Sequence, residues 1–231
     1  PRSTLDRSSA ASDVYKRQLL GSNNYLGLSA HPQVIEAAKN ALTEFGTGSS
    51  GSRHTAGKLN LYTKLERKIA SLKQTEAAIV FSSGYLANIG VIPALAVEGD
   101  LILSDELNHA SIIDGCRLSK ARKSIYLHSD LNHLEHLLKD ASGYQRRWII
   151  TDGIFSMDGD IAPLPDIYDL TRQYDARLIV DDAHGLGVLG KKGSGTVEYF
   201  GLSENQDIIQ TGTLSKAVSY THLTLPTSDL V

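Results

Sequence analysis

The chain has 231 residues, 41% hydrophobic and 21% charged, which is enough for one sizeable domain with a buried core. Its formal net charge is −3, its pI is near 6.3, and no basic stripe is present, which argues against nucleic acid or an anionic membrane as a partner. The single cysteine, Cys116, excludes an internal disulfide and is typical of a reducing compartment. No apolar run approaches the roughly 20 residues that span a bilayer. We therefore expect a cytoplasmic protein in which Cys116 is a small buried hydrophobic residue.

The two ends of the chain differ from its middle. Residues 1–18 are polar and show neither helical nor strand periodicity, and residues 218–231 begin with a similarly abrupt change. Both segments resemble translated cloning adaptors more than targeting peptides. We therefore interpret residues 19–217 as the native part and both ends as non-native additions.

The beginning of this native part predicts two amphipathic helices separated by a loop. After His31-Pro32, apolar residues recur at helical spacing, namely Val34, Ile35, Ala38, Ala41 and Leu42. Residues 45–57 are rich in glycine and lack periodicity, which predicts a loop. Residues 59–72 predict a second helix, with Leu61, Leu65, Ile69 and Leu72 on one face and Lys64, Glu66, Arg67 and Lys68 towards solvent.

From residue 76 onward, short apolar runs alternate with helical patterns. The runs predict strands at residues 76–81, 100–104, 124–127, 148–151, 178–180 and 207–210. The segments between them predict helices at residues 86–97, 130–138 and 163–174, and another that ends near residue 120. This alternation, without a repeat or a linker, indicates an α/β domain with a mainly parallel sheet and right-handed crossovers.

Charged side chains follow two of the predicted strands. Asp181, Asp182 and His184 come directly after strand 178–180, at the end where open α/β sheets bind ligands. Lys216 lies among small and hydroxyl residues after strand 207–210. Taken alone, the aspartates could be helix caps and the histidine a turn residue. A carboxylate, an imidazole and a lysine that converge at strand ends instead suggest an electron-sink cofactor bound as a Schiff base.

Two helix starts add to this pattern. The turn at residues 82–85 joins a strand to a helix, and unpaired first-turn N–H groups there favour a phosphate. His109 also lies where a strand gives way to a helix, so it is expected to face the same crevice. The alternatives are an ordinary strand-to-helix turn capped by serine, and a helix-start histidine without a ligand.

Metal binding is the main competing interpretation. His133 and His136 have a metal-like spacing but lack further ligands, and the aspartates at residues 152–160 do not match a Ca²⁺ loop. A metal-assisted hydrolase could use Asp181, Asp182 and His184 with Asp158 and Asp160. That alternative leaves Lys216 and the phosphate turn without a role. A fragment without catalytic activity is a further alternative.

Seven successive segments carry a family resemblance. They are NNYLGLS, GTGSSGSRHTAG, SSGYLAN, LNHASIIDG, TDGIFSMDGDIAPLP, VDDAHGLGVLG and TGTLSKA. In this order they resemble the α-oxoamine synthase family of pyridoxal 5′-phosphate (PLP) enzymes, and the resemblance spans nearly all of residues 19–217. The family includes glycine C-acetyltransferases and 8-amino-7-oxononanoate synthases, to which the chain is most similar, as well as 5-aminolevulinate synthase and serine palmitoyltransferase.

The resemblance implies a fold and a cofactor site. The fold is the large domain of the PLP-dependent transferase fold type I (aspartate aminotransferase-like), cut off before the C-terminal small domain. Lys216 would form the Schiff base, Asp181 would pair with the pyridine nitrogen, and His109 would stack on the ring. The remaining expected contacts are His184 and Ser156 to the ring 3′-oxygen, Ser83, Gly84, Tyr85 and Thr213 to the phosphate, and Asn23 to the substrate carboxylate.

The resemblance also implies a reaction and an assembly. A small amino acid, glycine or alanine, would condense with an acyl-CoA thioester to give an α-amino ketone and CoA. Members of the family are homodimers whose active sites draw on both subunits, so a homodimer is expected for the complete protein. The motifs do not decide which amino acid or acyl chain is used.

Overall fold

The structure, a computed structural model, describes residues 21–218. The predicted adaptor-like segment at residues 1–18 lies outside this range, as does the tail predicted at residues 218–231 apart from its first residue. None of the helices within residues 21–218 has the length and apolar character needed to cross a membrane.

Five parallel strands form the centre of the fold. They are β1 (Leu101–Asp105), β2 (Arg122–Tyr126), β3 (Arg147–Asp152), β4 (Ala176–Asp181) and β5 (Ile208–Thr211). Their order across the sheet is β2-β1-β3-β4-β5, and each neighbouring pair is parallel. The predicted α/β class and parallel sheet are confirmed, with strand bounds within a residue or two of those expected.

Seven α-helices accompany the sheet in the described range. They are α1 (Pro32–Phe45), α2 (Asn60–Lys73), α3 (Gly84–Leu95), α4 (Ala110–Leu118), α5 (Leu131–Lys139), α6 (Leu164–Gln173) and α7 (Thr196–Tyr199). The first six confirm the predicted helices. The sequence pattern missed the one-turn helix α7, because four residues are too few to show a helical period.

Alternation along the strands divides the core into two layers. Leu103 of β1 packs in a cluster with Leu134 of α5 and Leu164 of α6. Its neighbour Ile102 points to the opposite face and packs with Ile112 of α4. The sheet is therefore covered on both faces, as parallel sheets require.

Cys116 lies in the second of these layers. Its thiol is buried, and burial raises the pKa of Cys116 to about 11. The expectation of a small buried hydrophobic residue is confirmed, since a protonated thiol is a poor nucleophile.

The predicted strand at residues 76–81 is wrong. The segment is not in a strand and pairs with none among the described residues; the Val80 N–H instead donates to the Glu66 carboxylate at 3.1 Å. Ile79 is 68% exposed. A strand needs a neighbour that completes its hydrogen-bond ladder, and residues 21–218 place none beside this one. Glu66 also differs from the prediction, because it pairs with Arg53 at 2.5 Å instead of facing solvent.

Candidate active site

The carboxyl ends of the strands bring three polar side chains into register. Asp152 of β3 lies beside Asp181 of β4, and Asp181 lies beside Thr211 of β5. Neighbouring parallel strands are about 4.8 Å apart, so these side chains share one edge of the sheet. The expected placement of Asp181 at the ligand-binding end of the sheet follows from this register.

Asp181 is buried and accepts hydrogen bonds on both carboxylate oxygens. Asn88 Nδ2 donates to Oδ2 at 2.5 Å, and the Ala183 N–H donates to Oδ1 at 3.0 Å. Burial raises the pKa of Asp181, whereas these two donors and the nearby His109 oppose the rise. The carboxyl group is therefore oriented as an acceptor, and a cation beside it would favour its ionised form.

His109 lies at the start of α4 and is anchored on two sides. Its main-chain N–H donates to Asp152 Oδ2 at 2.7 Å, and its Nδ1 shares a hydrogen bond of 2.7 Å with the Ser111 hydroxyl. The residue is exposed. The anchored imidazole therefore keeps surface available to a ligand at the edge that holds Asp181.

Asp152 is a site residue that sequence reasoning did not assign. It is 6% exposed, and burial, followed by the charge of Asp181, raises the pKa of Asp152 to about 7. The charge of Lys216 and the bond from His109 act in the opposite direction. The signal was present, because Asp152 follows an apolar strand in the same way as Asp181 does.

His184 is linked to the N-terminal part of the described chain. The Tyr25 hydroxyl lies 2.9 Å from His184 Nδ1 and donates to Asn23 Oδ1 at 3.5 Å. Burial, then the charges of Lys216 and His109, lower the pKa of His184. His184 is therefore neutral near pH 7, and Tyr25 connects it to the predicted substrate residue Asn23. No sequence signal had indicated Tyr25.

The predicted phosphate turn has the geometry of an anion site. Ser83 caps α3 by accepting the Leu86 N–H at 3.1 Å. Within residues 21–218, the N–H groups of Gly84 and Tyr85 have no hydrogen-bond acceptor. A Cβ added to Gly84 would lie 3.1 Å from Thr213 Cβ, so the helix start and Thr213 face each other closely. The helix start with its two free N–H groups therefore lies close to Thr213.

The loop after β5 carries Lys216 towards the same cleft. Ala217 packs closely against Gly187, because a Cβ added to that glycine would lie 2.7 Å from Ala217 Cβ. Lys216 is half-buried, and its positive charge lowers the pKa of both His184 and Asp152. Because a charge acts in this way only over a short distance, Lys216 lies near both His184 and Asp152.

Ser156 is less closely connected to the other predicted residues. It lies in an exposed turn after β3, and among the described contacts no hydrogen bond joins it to His184. Its expected role at the ring 3′-oxygen stays a prediction.

The prediction that Asp182 faces the mouth of the crevice is wrong. Its side chain is fully buried and accepts hydrogen bonds from Lys73 Nζ at 2.6 Å and from Thr196 Oγ1 at 2.8 Å. Consecutive residues of an extended chain point to opposite sides, so Asp181 and Asp182 cannot both line the cleft.

The described structure does not support the metal-assisted hydrolase, because the residues proposed as its ligands are not grouped together. Asp160 Oδ2 lies 2.9 Å from His128 Nε2, so this carboxylate oxygen already has a partner. In residues 21–218, no three His, Cys, Asp or Glu side chains are grouped so that they could hold a metal ion.

A five-stranded parallel sheet with an acid, an imidazole and a free helix start at its carboxyl edge defines a class of phosphate-cofactor enzymes. The chain belongs to the aminotransferase class I and II family, whose pattern matches residues 17–224. The putative 8-amino-7-oxononanoate synthase of Bacillus subtilis subsp. natto is 59% identical over 206 residues, which is 89% of this chain and 55% of that protein. The putative 8-amino-7-oxononanoate synthase of Methanocaldococcus jannaschii is 57% identical over 198 residues, 85% of this chain and 52% of that protein.

Solved structures agree with these relatives. The serine palmitoyltransferase of Sphingomonas wittichii superposes with a TM-score of 0.83 at 39% identity, over 86% of this chain and 50% of that one. The 8-amino-7-oxononanoate synthase of Francisella tularensis superposes with a TM-score of 0.70 at 33% identity, over 85% of this chain and 54% of that one. The resemblance to α-oxoamine synthases and the fold type I class are thereby confirmed. The chain spans about half the length of the curated relatives it matches.

Proposed function

We propose that this chain forms the cofactor-binding part of a PLP-dependent 8-amino-7-oxononanoate synthase. The observation that carries the proposal is the common edge of the sheet, where buried Asp181 accepts on both oxygens and the N–H groups of Gly84 and Tyr85 remain free. A phosphorylated pyridine cofactor needs a carboxylate for its ring nitrogen and N–H donors for its phosphate. The donor set therefore fits PLP, and a serine palmitoyltransferase among the structural neighbours was solved with a PLP–myriocin adduct.

We assign each residue the role that the family resemblance implies. Gly84, Tyr85 and Thr213 would hold the phosphate, and Asp181 would keep a proton on the ring nitrogen because its negative charge favours the cation. His109 would cover one ring face and exclude water. His184, neutral near pH 7, and Ser156 would bind the ring 3′-oxygen.

Two residues would act on the amino acid itself. Bound PLP supplies an electron sink for a carbanion at the substrate α-carbon. The Lys216 amine would hold the cofactor covalently and, once the amino acid displaces it, carry the proton to and from that carbon. Asn23 would bind the substrate carboxylate.

The relatives' name favours alanine and a pimeloyl thioester as substrates. Condensation between the two, with loss of CO₂ and CoA, gives 8-amino-7-oxononanoate. Other family members use different acyl chains, so the substrate is tested directly. We propose that the complete protein acts as a cytoplasmic homodimer, in keeping with the single cysteine and with the family's assembly.

The cofactor is tested by titrating the purified chain with PLP. We expect an absorbance band near about 420 nm that borohydride abolishes, since a Schiff base is reducible. Lys216→Ala should lose the band, while Lys39→Ala, a matched change at an exposed lysine of α1, should keep it. A wild-type chain without the band, or a band that survives in Lys216→Ala, would contradict the proposal.

The substrate is tested with the complete protein. Alanine or glycine is added to its PLP-loaded form, followed by acetyl-, pimeloyl- or palmitoyl-CoA, and CoA release is measured. We expect alanine with pimeloyl-CoA to release CoA fastest. A preference for glycine with acetyl-CoA would contradict the assignment within the family and leave the cofactor assignment intact.

A further inference from the structure

A buried amide on α3 connects the two main groups of the candidate site. Asn88 Nδ2 donates to Asp181 Oδ2 at 2.5 Å and to the Ser111 hydroxyl at 2.9 Å. The same hydroxyl lies 2.7 Å from His109 Nδ1. A continuous hydrogen-bonded path therefore runs from the imidazole of His109 to the carboxylate of Asp181.

The amide of Asn88 has a fixed orientation. Its Oδ1 accepts from the Thr211 hydroxyl at 2.8 Å, while both Nδ2 hydrogens are used by Asp181 and Ser111. Asn88 is 1% exposed, so water does not compete for these bonds. Turning the amide over would place its oxygen against the carboxylate and leave buried donors unpaired, which is costly.

The position of Asn88 on its helix ties this path to the phosphate turn. Gly84 and Tyr85 begin α3, and Asn88 comes one turn later on the same helix. A helix rises about 1.5 Å per residue, so the free N–H groups and the backbone of Asn88 are roughly 4.5–6 Å apart along a rigid element. One helix can therefore set the distance between the phosphate site and Asp181.

Asn88 also opposes the electrostatic cost of burying Asp181. Burial raises the pKa of that carboxyl, and the Asn88 hydrogen bond is the largest of the effects that lower it. Without the donor, the carboxylate would lose a charge-assisted hydrogen bond in a low-dielectric site.

We propose that Asn88 is a positioning residue that holds Asp181 and, through Ser111, His109 in the arrangement that grips the pyridine ring of the cofactor. This inference rests on the proposed PLP function. Asn88 itself does not contact the ring; it acts by fixing the orientation of the two residues that do.

The test compares Asn88→Asp with Asn40→Asp, the same change at an exposed position of α1. Asn88→Asp keeps the side-chain shape but replaces the donor with a second carboxylate facing Asp181. Losing a hydrogen bond to a charged group corresponds to an affinity loss of about ten- to hundredfold. We expect the PLP dissociation constant to rise by this factor and the Schiff-base band to change position or pH dependence, while Asn40→Asp behaves as wild type.

Milder variants keep the test valid if Asn88→Asp does not fold. Ser111→Ala removes the link to His109 together with one of the two acceptors of the Asn88 amide, and Thr211→Val removes the donor to Asn88 Oδ1. Both should weaken PLP binding by a smaller factor. If the variants lower the melting temperature but the bound cofactor keeps the wild-type spectrum, Asn88 is merely structural and the inference is overturned.

A measurement without cofactor separates this inference from the proposed function. In the ¹⁵N-labelled wild-type chain, the Asn88 side-chain amide protons should exchange far more slowly than those of Asn40, and their signals should move in Asp181→Asn. Fast exchange would overturn the inference. A wild-type chain that never forms the Schiff-base band overturns the proposed function and the cofactor part of the inference, whereas a normal wild-type band with an unchanged Asn88→Asp variant overturns the inference alone.

Discussion

Residues 101–217 and residues 21–81 contain similar amphipathic elements but bury them to very different extents. In the first region, which we call the sheet region, Leu103, Ile149 and Ile150 have no exposed surface. In the second, the N-terminal region, α1 buries none of its residues and α2 buries only Ala70 and Lys73. Leu42 of α1 is 48% exposed although its helical spacing is regular.

The difference shows what a periodic pattern specifies. Apolar spacing is sufficient to predict the helix, because it is a local property of the chain. Burial of the apolar face needs a second element that supplies a surface. In the sheet region α4, α5 and α6 find that surface on the sheet, whereas the described residues offer little surface to α1.

The strongest link between the regions is the buried ion pair of Lys73 and Asp182. Replacing Lys73 by Met would leave Asp182 buried without its charged partner, which typically costs about 3–5 kcal/mol. We expect urea unfolding to show a loss of this size, and Lys68→Met, at an exposed position of the same helix, to show almost none. If Lys73→Met unfolds at the wild-type urea concentration, the pair does not join the two regions.

The same leucine-to-alanine change in each region tests the difference in burial between them. Leu103→Ala in the sheet region should lower the free energy of unfolding by about 2–5 kcal/mol, because it leaves a cavity in a closed core. Leu42→Ala in the N-terminal region should change it by less than about 0.5 kcal/mol, as exposed substitutions do. Chemical denaturation of both variants measures the contrast, and equal losses would show that α1 is as well packed as the sheet.

A further expected effect is a pH dependence to which Asp152 of the sheet region contributes. The pKa of Asp152 is raised from the ordinary 3.8 to about 7, so the folded state binds the proton more tightly than the unfolded state. The contribution of Asp152 to stability should therefore be fully present below the ordinary value and be lost as pH rises towards 7, by at most about 1.4 kcal/mol per pH unit.

Asp152→Asn should reduce that decline in the cofactor-free chain, and the raised pKa of Asp181 should maintain the rest. Asp158→Asn, at an exposed turn position, provides the matched control and should leave the profile unchanged. Unfolding free energies measured at several pH values between 4 and 8 test this expectation. If the unfolding free energy of Asp152→Asn falls with pH as steeply as in the wild type, another group causes the pH dependence.

Most of the fold could be predicted from sequence because its signals are local. Strands β1 to β5 and helices α1 to α6 are each specified by apolar spacing within a short window. The prediction of a strand at residues 76–81 was wrong because strand formation depends on a distant partner and not on a local signal. Its composition suits a strand, but a strand exists only when another one pairs with it.

Some residues of the candidate site could likewise be predicted from the sequence, and others could not. Asp181 and His109 could be placed because parallel strands put their carboxyl ends at one edge. The Ser83–Tyr85 turn could be placed because a helix start leaves its first N–H groups unpaired, although the described residues contain no strand before it. Asn88 could not be found, since a single amide within an apolar helix resembles any other polar interruption. Tyr25 was missed because its partner His184 is far away along the chain.

The sequence by itself determined the alternation of strands and helices, the family motifs and the edge at which the charged residues gather. Only the tertiary structure decided that Asp181 is bound by Asn88 while Asp182 is buried against Lys73, and that Asn88 joins His109 to Asp181. The physical reason is that these outcomes depend on which distant groups satisfy a buried carboxylate, and hydrogen bonds between distant residues leave no periodic trace in the chain.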